Sequence, residues 1–155
     1  MRAPRTLPET RQLPKILLAV DGSEHGIAVA RRLVESFAWY KDKPKIELIT
    51  VHLPVPHIGG MGAVVSHEML DRYYREEGEK NLSEAKKILD GAGAAYNAHI
   101  FVGHIAETIV EQAKHFGCDM IYMGTRGHGA AASVLVGSVA IKVLHLAHIP
   151  VVLVH

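Results

Sequence analysis

Gly124, Gly127, Gly137 and Ser138 stand in the spacing G-x2-G-x9-G-S within Met123–Ser138, MGTRGHGAAASVLVGS. Such a stretch can bind an anion. Glycine gives up roughly 0.5–1 kcal/mol of chain entropy relative to alanine at regular positions, in return for close backbone approach. A helix opening at Gly137-Ser138 would present free N–H groups and a positive dipole end, and the Ser138 hydroxyl would add a donor. Plainer roles stay open: Gly137 in helix–sheet packing, Ser138 as an N-cap. Arg126 and His128 flank the middle glycine and can reach a phosphate or stand in solvent. Asp21, in AVDGS (Ala19–Ser23), is either an acceptor for a ligand or a turn residue.

Other chemistries are disfavoured by what the chain lacks. No G-x-x-x-x-G-K-[ST] is present, so a P-loop is excluded. Gly127–Ala132 fits G-x-G-x-x-A, but a dinucleotide fingerprint follows the first strand and is answered by an acid about 20 residues on. Residues 147–154 hold no acid. A receiver-type phosphoacceptor at Asp21 would need clustered carboxylates for Mg²⁺, and only Glu24 is near. The 11 histidines include no H-E-x-x-H and no Cys/His cluster. Surface and loop positions account for them, with His52 and His57 placed to line a crevice mouth. Cys118 is the only cysteine. It makes no intrachain disulfide, reads as a core residue rather than a nucleophile, and fits a reducing cytoplasm.

The elements that must position these residues alternate. Lys15–Val20 (KILLAV) is a strand, followed by an N-cap at Ser23 and a helix over about Glu24–Trp39. Lys45–His52 is the second strand. A loop with two prolines leads to a long charged helix over about Val64–Leu89, with Glu76–Lys80 and Lys80–Glu84 pairs at i,i+4. Tyr96–Val102 is a third strand, Glu107–Phe116 a helix ended by Gly117, and Cys118–Met123 a fourth strand. Ser138–Leu146 is a helix and Pro150–His155 the fifth strand. This β-α repetition predicts a single doubly wound three-layer α/β domain with a five-stranded parallel sheet. Its ligand site would lie beyond the carboxyl ends of the strands, where strand order reverses. That puts Asp21 and Gly124 in one crevice if the first and fourth strands are neighbours.

Bulk properties bound the partners. The chain has 155 residues, enough for one domain with its own core, and 48% are hydrophobic. Its net charge of +1, from 17 basic and 16 acidic residues, is no nucleic-acid footprint. No run of 18 apolar residues occurs, so no membrane partner is expected. Residues 1–13, polar and rich in proline and arginine, read as a disordered tail without the apolar core of a secretion signal. The remainder, 14–155, reads as the domain.

The chain resembles the universal stress protein family. G-x2-G-x9-G-[S/T], the family's nucleotide signature, is matched without a gap from Gly124 to Ser138, and AVDGSE (Ala19–Glu24), the stretch Val102–Ile109 and the terminal PVVLVH are similar as well. The resemblance implies strand order 3-2-1-4-5, an adenine-nucleotide α-hydrolase-like fold, and ATP as cofactor with Mg²⁺ or Mn²⁺ bridging its phosphates. It implies that Gly124, Gly127 and Arg126 lie along phosphates and ribose, that Gly137 and Ser138 open the last helix on them, and that Asp21 meets the ribose hydroxyls. Val51 would meet the adenine edge with its backbone. Ala19, Val20, Met123 and Val139 would give backbone or apolar contacts. Also implied is a homodimer paired through the C-terminal strand. No base or nucleophile is poised, so the expected role is a nucleotide-regulated stress-response protein with at most slow ATP hydrolysis. A true ATPase or nucleotidyl-transfer enzyme, an interaction module without nucleotide, and a preference for AMP or a cyclic nucleotide are the alternatives. The Ala130–Ala132 spacer offers phosphate no polar side chain.

Overall fold

Strand β1 (Lys15–Ala19) is apolar from Ile16 onward because both of its faces are covered. Ile16 and Leu18 point to one side of the sheet, Leu17 to the other, and all three are fully buried. In this computed structural model, which describes residues 13–56, 65–129, 133 and 135–155, β1 lies at the centre of a five-stranded sheet. The order is β3-β2-β1-β4-β5, all parallel, with β2 at Lys45–His52, β3 at Tyr96–Val102, β4 at Met120–Gly124 and β5 at Val151–Val154. Helices α1 (Glu24–Ser36) and α2 (His67–Gly91) cover one face with Leu33, Leu82 and Leu89. Helices α3 (Ile105–His115) and α4 (Ser138–Leu146) cover the other with Ile109, Ala113 and Val143. Among the described residues no helix is long and apolar enough to cross a membrane.

Helix ends follow local chemistry. Ser23 caps α1, its Oγ accepting from the Gly26 N–H at 3.3 Å. The helix stops three residues before the expected Trp39 because the chain tightens into a 3-10 turn over Phe37–Trp39. Ser66 caps α2 through the Met69 N–H at 3.2 Å, which sets its start at His67; the expected start at Val64 lies outside the described residues. The ion pairs of α2 among the described residues are Glu79–Lys86 and Glu84–Lys87, not the i,i+4 pairs read from sequence. Helix α3 begins two residues earlier than expected, at Ile105, with Glu107 still inside its first turn.

Cys118 belongs to the exit of α3 and not to the fourth strand. Its N–H bonds to the Ala113 carbonyl at 2.8 Å and the Gly117 N–H to Lys114 at 3.1 Å, with Gly117 at φ +66°. That is a Schellman closure, and it consumes the backbone donor a strand would need. The thiol is buried, and burial with the nearby Glu47 carboxylate pushes it up to about 11. A rise of that size makes its thiolate roughly 100-fold scarcer than that of an unburied cysteine. We expect the native protein to resist a chromogenic disulfide reagent at pH 8 and to react fully in urea. Rapid stoichiometric labelling of the native chain would contradict the assignment.

One polar group interrupts the α3/α4 face. Glu47 on β2 is buried, yet its carboxylate accepts from Asn97 Nδ2 at 3.3 Å and sits 2.8 Å from His99 Nε2. Lys15 Nζ stands 3.9 Å away. These partners lie at the amino ends of the strands, the opposite pole from the crevice described next.

Candidate functional site

Between β1 and β4 the strand order reverses, and there the chain leaves a crevice of about 630 Å³ at the carboxyl ends of the strands. That size is ordinary for a small-molecule site. All eleven residues singled out from the sequence line it: Ala19, Val20 and Asp21 after β1, Val51 on β2, Met123, Gly124, Arg126 and Gly127 at the end of β4, and Gly137, Ser138 and Val139 at the start of α4. Its inner wall is apolar, from Ile49, Ile105, Ile109, Met123 and Val139 on the α3/α4 side of the sheet.

The sheet register directs the backbone of Val51 into this space. Ile49 O accepts from the Val20 N–H at 3.0 Å, whereas His52 O accepts from the Gly103 N–H at 2.8 Å. Odd-numbered residues of β2 thus turn their backbone toward β1, which has ended at Ala19. The Val51 N–H and C=O face the opening beyond it, and Leu53 has the same parity.

The amino end of α4 is bare. Its N-cap is Gly137, so Ser138 is the first helical residue and not the cap. Gly137 makes no side-chain cap, its own N–H bonds to the Thr125 carbonyl at 2.6 Å, and the first intrahelical bond is Ile141 N–H to Gly137 O at 3.1 Å. The N–H groups of Ser138, Val139 and Ala140 therefore have no intrahelical acceptor, and all three residues border the crevice. The first turns of α1, α2 and α3 carry Glu24, Glu68 and Glu107; that of α4 carries no acid. No acid of that turn answers the positive end of its dipole.

Asp21 is tied down within the molecule. Its Oδ1 accepts from the N–H of Ser23 at 3.0 Å and from Ser23 Oγ at 2.5 Å, and its Oδ2 accepts from the His128 N–H at 3.2 Å. The three signature glycines are also confined by protein atoms. A Cβ at Gly127 would fall 2.5 Å from Asp21 Oδ2, at Gly124 3.0 Å from Arg126 O, and at Gly137 3.3 Å from Thr125 O. Their absence of side chains serves the packing of the loop on itself before any ligand is considered. Gly22 adds a backbone reason, with φ +78° and Asn81 Oδ1 2.6 Å from where its Cβ would be.

Two polar lining residues were not read from the sequence. Asn81 reaches the crevice from α2, and nothing in that charged helix marks it. Thr125 is buried beneath the loop and joins three pieces: its N–H bonds to Val154 O at 2.9 Å, its carbonyl takes the Gly137 N–H, and its Oγ1 lies 3.3 Å from His155 Nδ1. His52 does line the mouth, on the α2 side, its ring centroid 5.8 Å from that of Tyr74. Burial lowers its pKa, against a smaller opposing pull from Glu77. His57 and Ala130–Ala132 lie outside the described residues. Among the described residues no group of three or more His, Cys, Asp or Glu side chains could hold a metal ion.

Known proteins share both sequence and architecture. The family model described as universal stress protein family matches residues 13–155. A universal stress protein of Thermus aquaticus is 36% identical over 142 residues, covering 90% of this chain and 96% of that protein. The solved structure of hypothetical protein MJ0577 superposes with a TM-score of 0.73 at 26% identity, covering 91% of this chain and 94% of the other. A universal stress protein solved in complex with cAMP superposes with a TM-score of 0.64 at 24% identity, covering 92% and 97%. The extent of these matches, on a fold of the same strand order, makes this chain a member of the universal stress protein family.

Proposed function

We propose that the crevice binds an adenine nucleotide, with ATP as the ligand the signature favours, and that the bound nucleotide regulates a stress-response protein acting in the cytoplasm. The observation that carries this reading is the bare amino end of α4, whose three residues without an intrahelical acceptor for their N–H border the same crevice as an apolar inner wall. An anion and a flat apolar ring on one molecule match those two halves. A relative of the same fold was solved with cAMP, which has both parts. The backbone of Val51 offers a donor and an acceptor for the edge of the base. Among the described residues no carboxylate cluster accompanies the site, so Mg²⁺ or Mn²⁺ enters this reading as a companion of the phosphates.

Turnover is slow in this reading. Among the described residues the carboxylate lining the crevice is that of Asp21, which already accepts three hydrogen bonds and is not free to activate water. Strand β5 is an edge, half-buried along Val151–Val154, and a second copy pairing there would remove an exposed apolar edge.

Mass spectrometry of small molecules released from the purified protein, followed by calorimetry with ATP, ADP, AMP and cAMP, tests the proposal. We expect one saturable site for at least one of them and ATP turnover well below about 1 per second, the low end of ordinary enzymes. Sedimentation equilibrium of the same sample should give twice the chain mass. Flat titrations with all four and no recovered nucleotide would end the nucleotide reading.

A further inference from the structure

Asp21 and His128 are 107 positions apart and joined twice. The His128 N–H donates to Asp21 Oδ2 at 3.2 Å, and His128 Nε2 lies 2.7 Å from the Asp21 carbonyl oxygen. A carbonyl only accepts, so Nε2 carries a proton in this contact and the ring points to the end of β1. Two bonds from one residue to the side chain and the backbone of another fix orientation as well as distance. The clasp has a firm anchor: Ser23, which holds the Asp21 carboxylate, also caps α1. It is also close, since the loop at Gly127 lies flush against Asp21 Oδ2.

We propose that His128 is a positioning residue of the crevice. Its clasp on Asp21 sets Gly127 and His128 in their ligand-receiving position before the ligand arrives. The imidazole, the one ionisable side chain between Gly127 and Gly137, thus serves the loop and not the phosphate. Pre-organisation of this kind strengthens binding by removing an ordering cost, and it helps every ligand that uses the loop to the same extent. The inference rests on the nucleotide reading above for its consequence, but the clasp itself is testable without a ligand.

The first arm is amide hydrogen exchange in the ligand-free protein. Protection of the amide at position 128 is expected in the wild type and in His128→Gln, whose amide nitrogen can replace Nε2 as donor, and is expected to fall about tenfold in His128→Ala. The second arm is calorimetry with adenosine, AMP and ATP. His128→Ala should weaken all three by one common factor, about 3- to 10-fold, the worth of one hydrogen bond, and His128→Gln should recover most of it. A loss confined to AMP and ATP would overturn the proposal in favour of a direct phosphate contact. Unchanged exchange in His128→Ala would overturn the clasp. A wild-type chain that shows protection at position 128 but binds none of the three keeps the clasp and refutes its role in nucleotide binding.

Discussion

Replacing Gly127 with alanine is expected to weaken adenine-nucleotide binding by roughly 10- to 100-fold while the chain stays folded. The added methyl would sit 2.5 Å from Asp21 Oδ2, far inside contact distance. The obstructing atom is the tip of a side chain, which would normally turn aside at little cost. Here it cannot do so freely, because Oδ2 holds the His128 N–H and Oδ1 holds Ser23 through two bonds. Either the carboxylate swings and gives up charged hydrogen bonds worth about 1.5–3 kcal/mol each, or the loop lifts off the β1–α1 turn. Both outcomes spoil the surface that meets the ligand. Gly127 does not have a positive φ, so alanine adds no backbone strain and the effect is steric alone. Calorimetric affinity for ATP, with far-UV circular dichroism as the folding control, measures it. An affinity equal to the wild type would show that the loop does not need its contact with Asp21.

The largest effect on stability is expected at Gly78→Ala. Gly78 is a buried position of α2, where a Cβ would meet three side-chain carbons of Ile100 on β3 at 2.6–2.7 Å. Both γ-carbons, at the branch of the Ile100 side chain, lie inside contact distance, so either that side chain turns or helix and sheet move apart. Overpacking of this kind costs about 1–3 kcal/mol, which for a chain of this size lowers the midpoint of thermal unfolding by roughly 3–10 °C. Differential scanning calorimetry reads the shift. Ile100→Ala in the same chain should return part of the loss, a coupling between neighbours that a double-mutant cycle isolates. Additive losses would mean the two residues do not touch. Asn81 follows Gly78 by three residues on α2 and borders the crevice, so a displaced helix also reaches the site.

Much of this molecule was legible in its sequence because its signals are local and repeat. Short apolar runs such as KILLA, ended by a turn, alternate with helical periodicity, and that pattern alone indicates a parallel α/β sheet. The strand order rested on the family resemblance, since periodicity carries no information about which strands are neighbours. Boundaries went astray where backbone donors are used in ways composition does not reveal. Cys118 was read into a strand because it is apolar, yet its N–H closes the end of α3. The last helix, by contrast, runs over Ser138–Leu146 as read, and only the capping role open to Ser138 falls instead to Gly137.

At the site, the residues read from the motif do gather around one crevice. Asn81 and Thr125 were missed because their roles arise from contacts across the fold and leave no trace in neighbouring residues. The meaning of the glycines also changed. Their absence of side chains suggested room for a ligand, whereas the nearest atoms at Gly124, Gly127 and Gly137 are those of the protein itself.

The span of 107 positions between Asp21 and His128 has a consequence for the birth of the protein. Strand β1 can pair with β2 soon after both leave the ribosome, but its other edge waits for β4, and the crevice waits for α4. At about 5–20 residues per second, a usual pace of synthesis, the delay from Asp21 to Ser138 is on the order of 6–20 s. Throughout that interval the β4-facing edge of a central strand that is apolar from Ile16 to Ala19 stands open, the condition under which nascent sheets stick to one another. The late closure that completes the crevice is also the step that hides this edge. A ligand of the crevice therefore cannot assist the early folding of the nascent chain: the crevice does not exist until that hazard has passed.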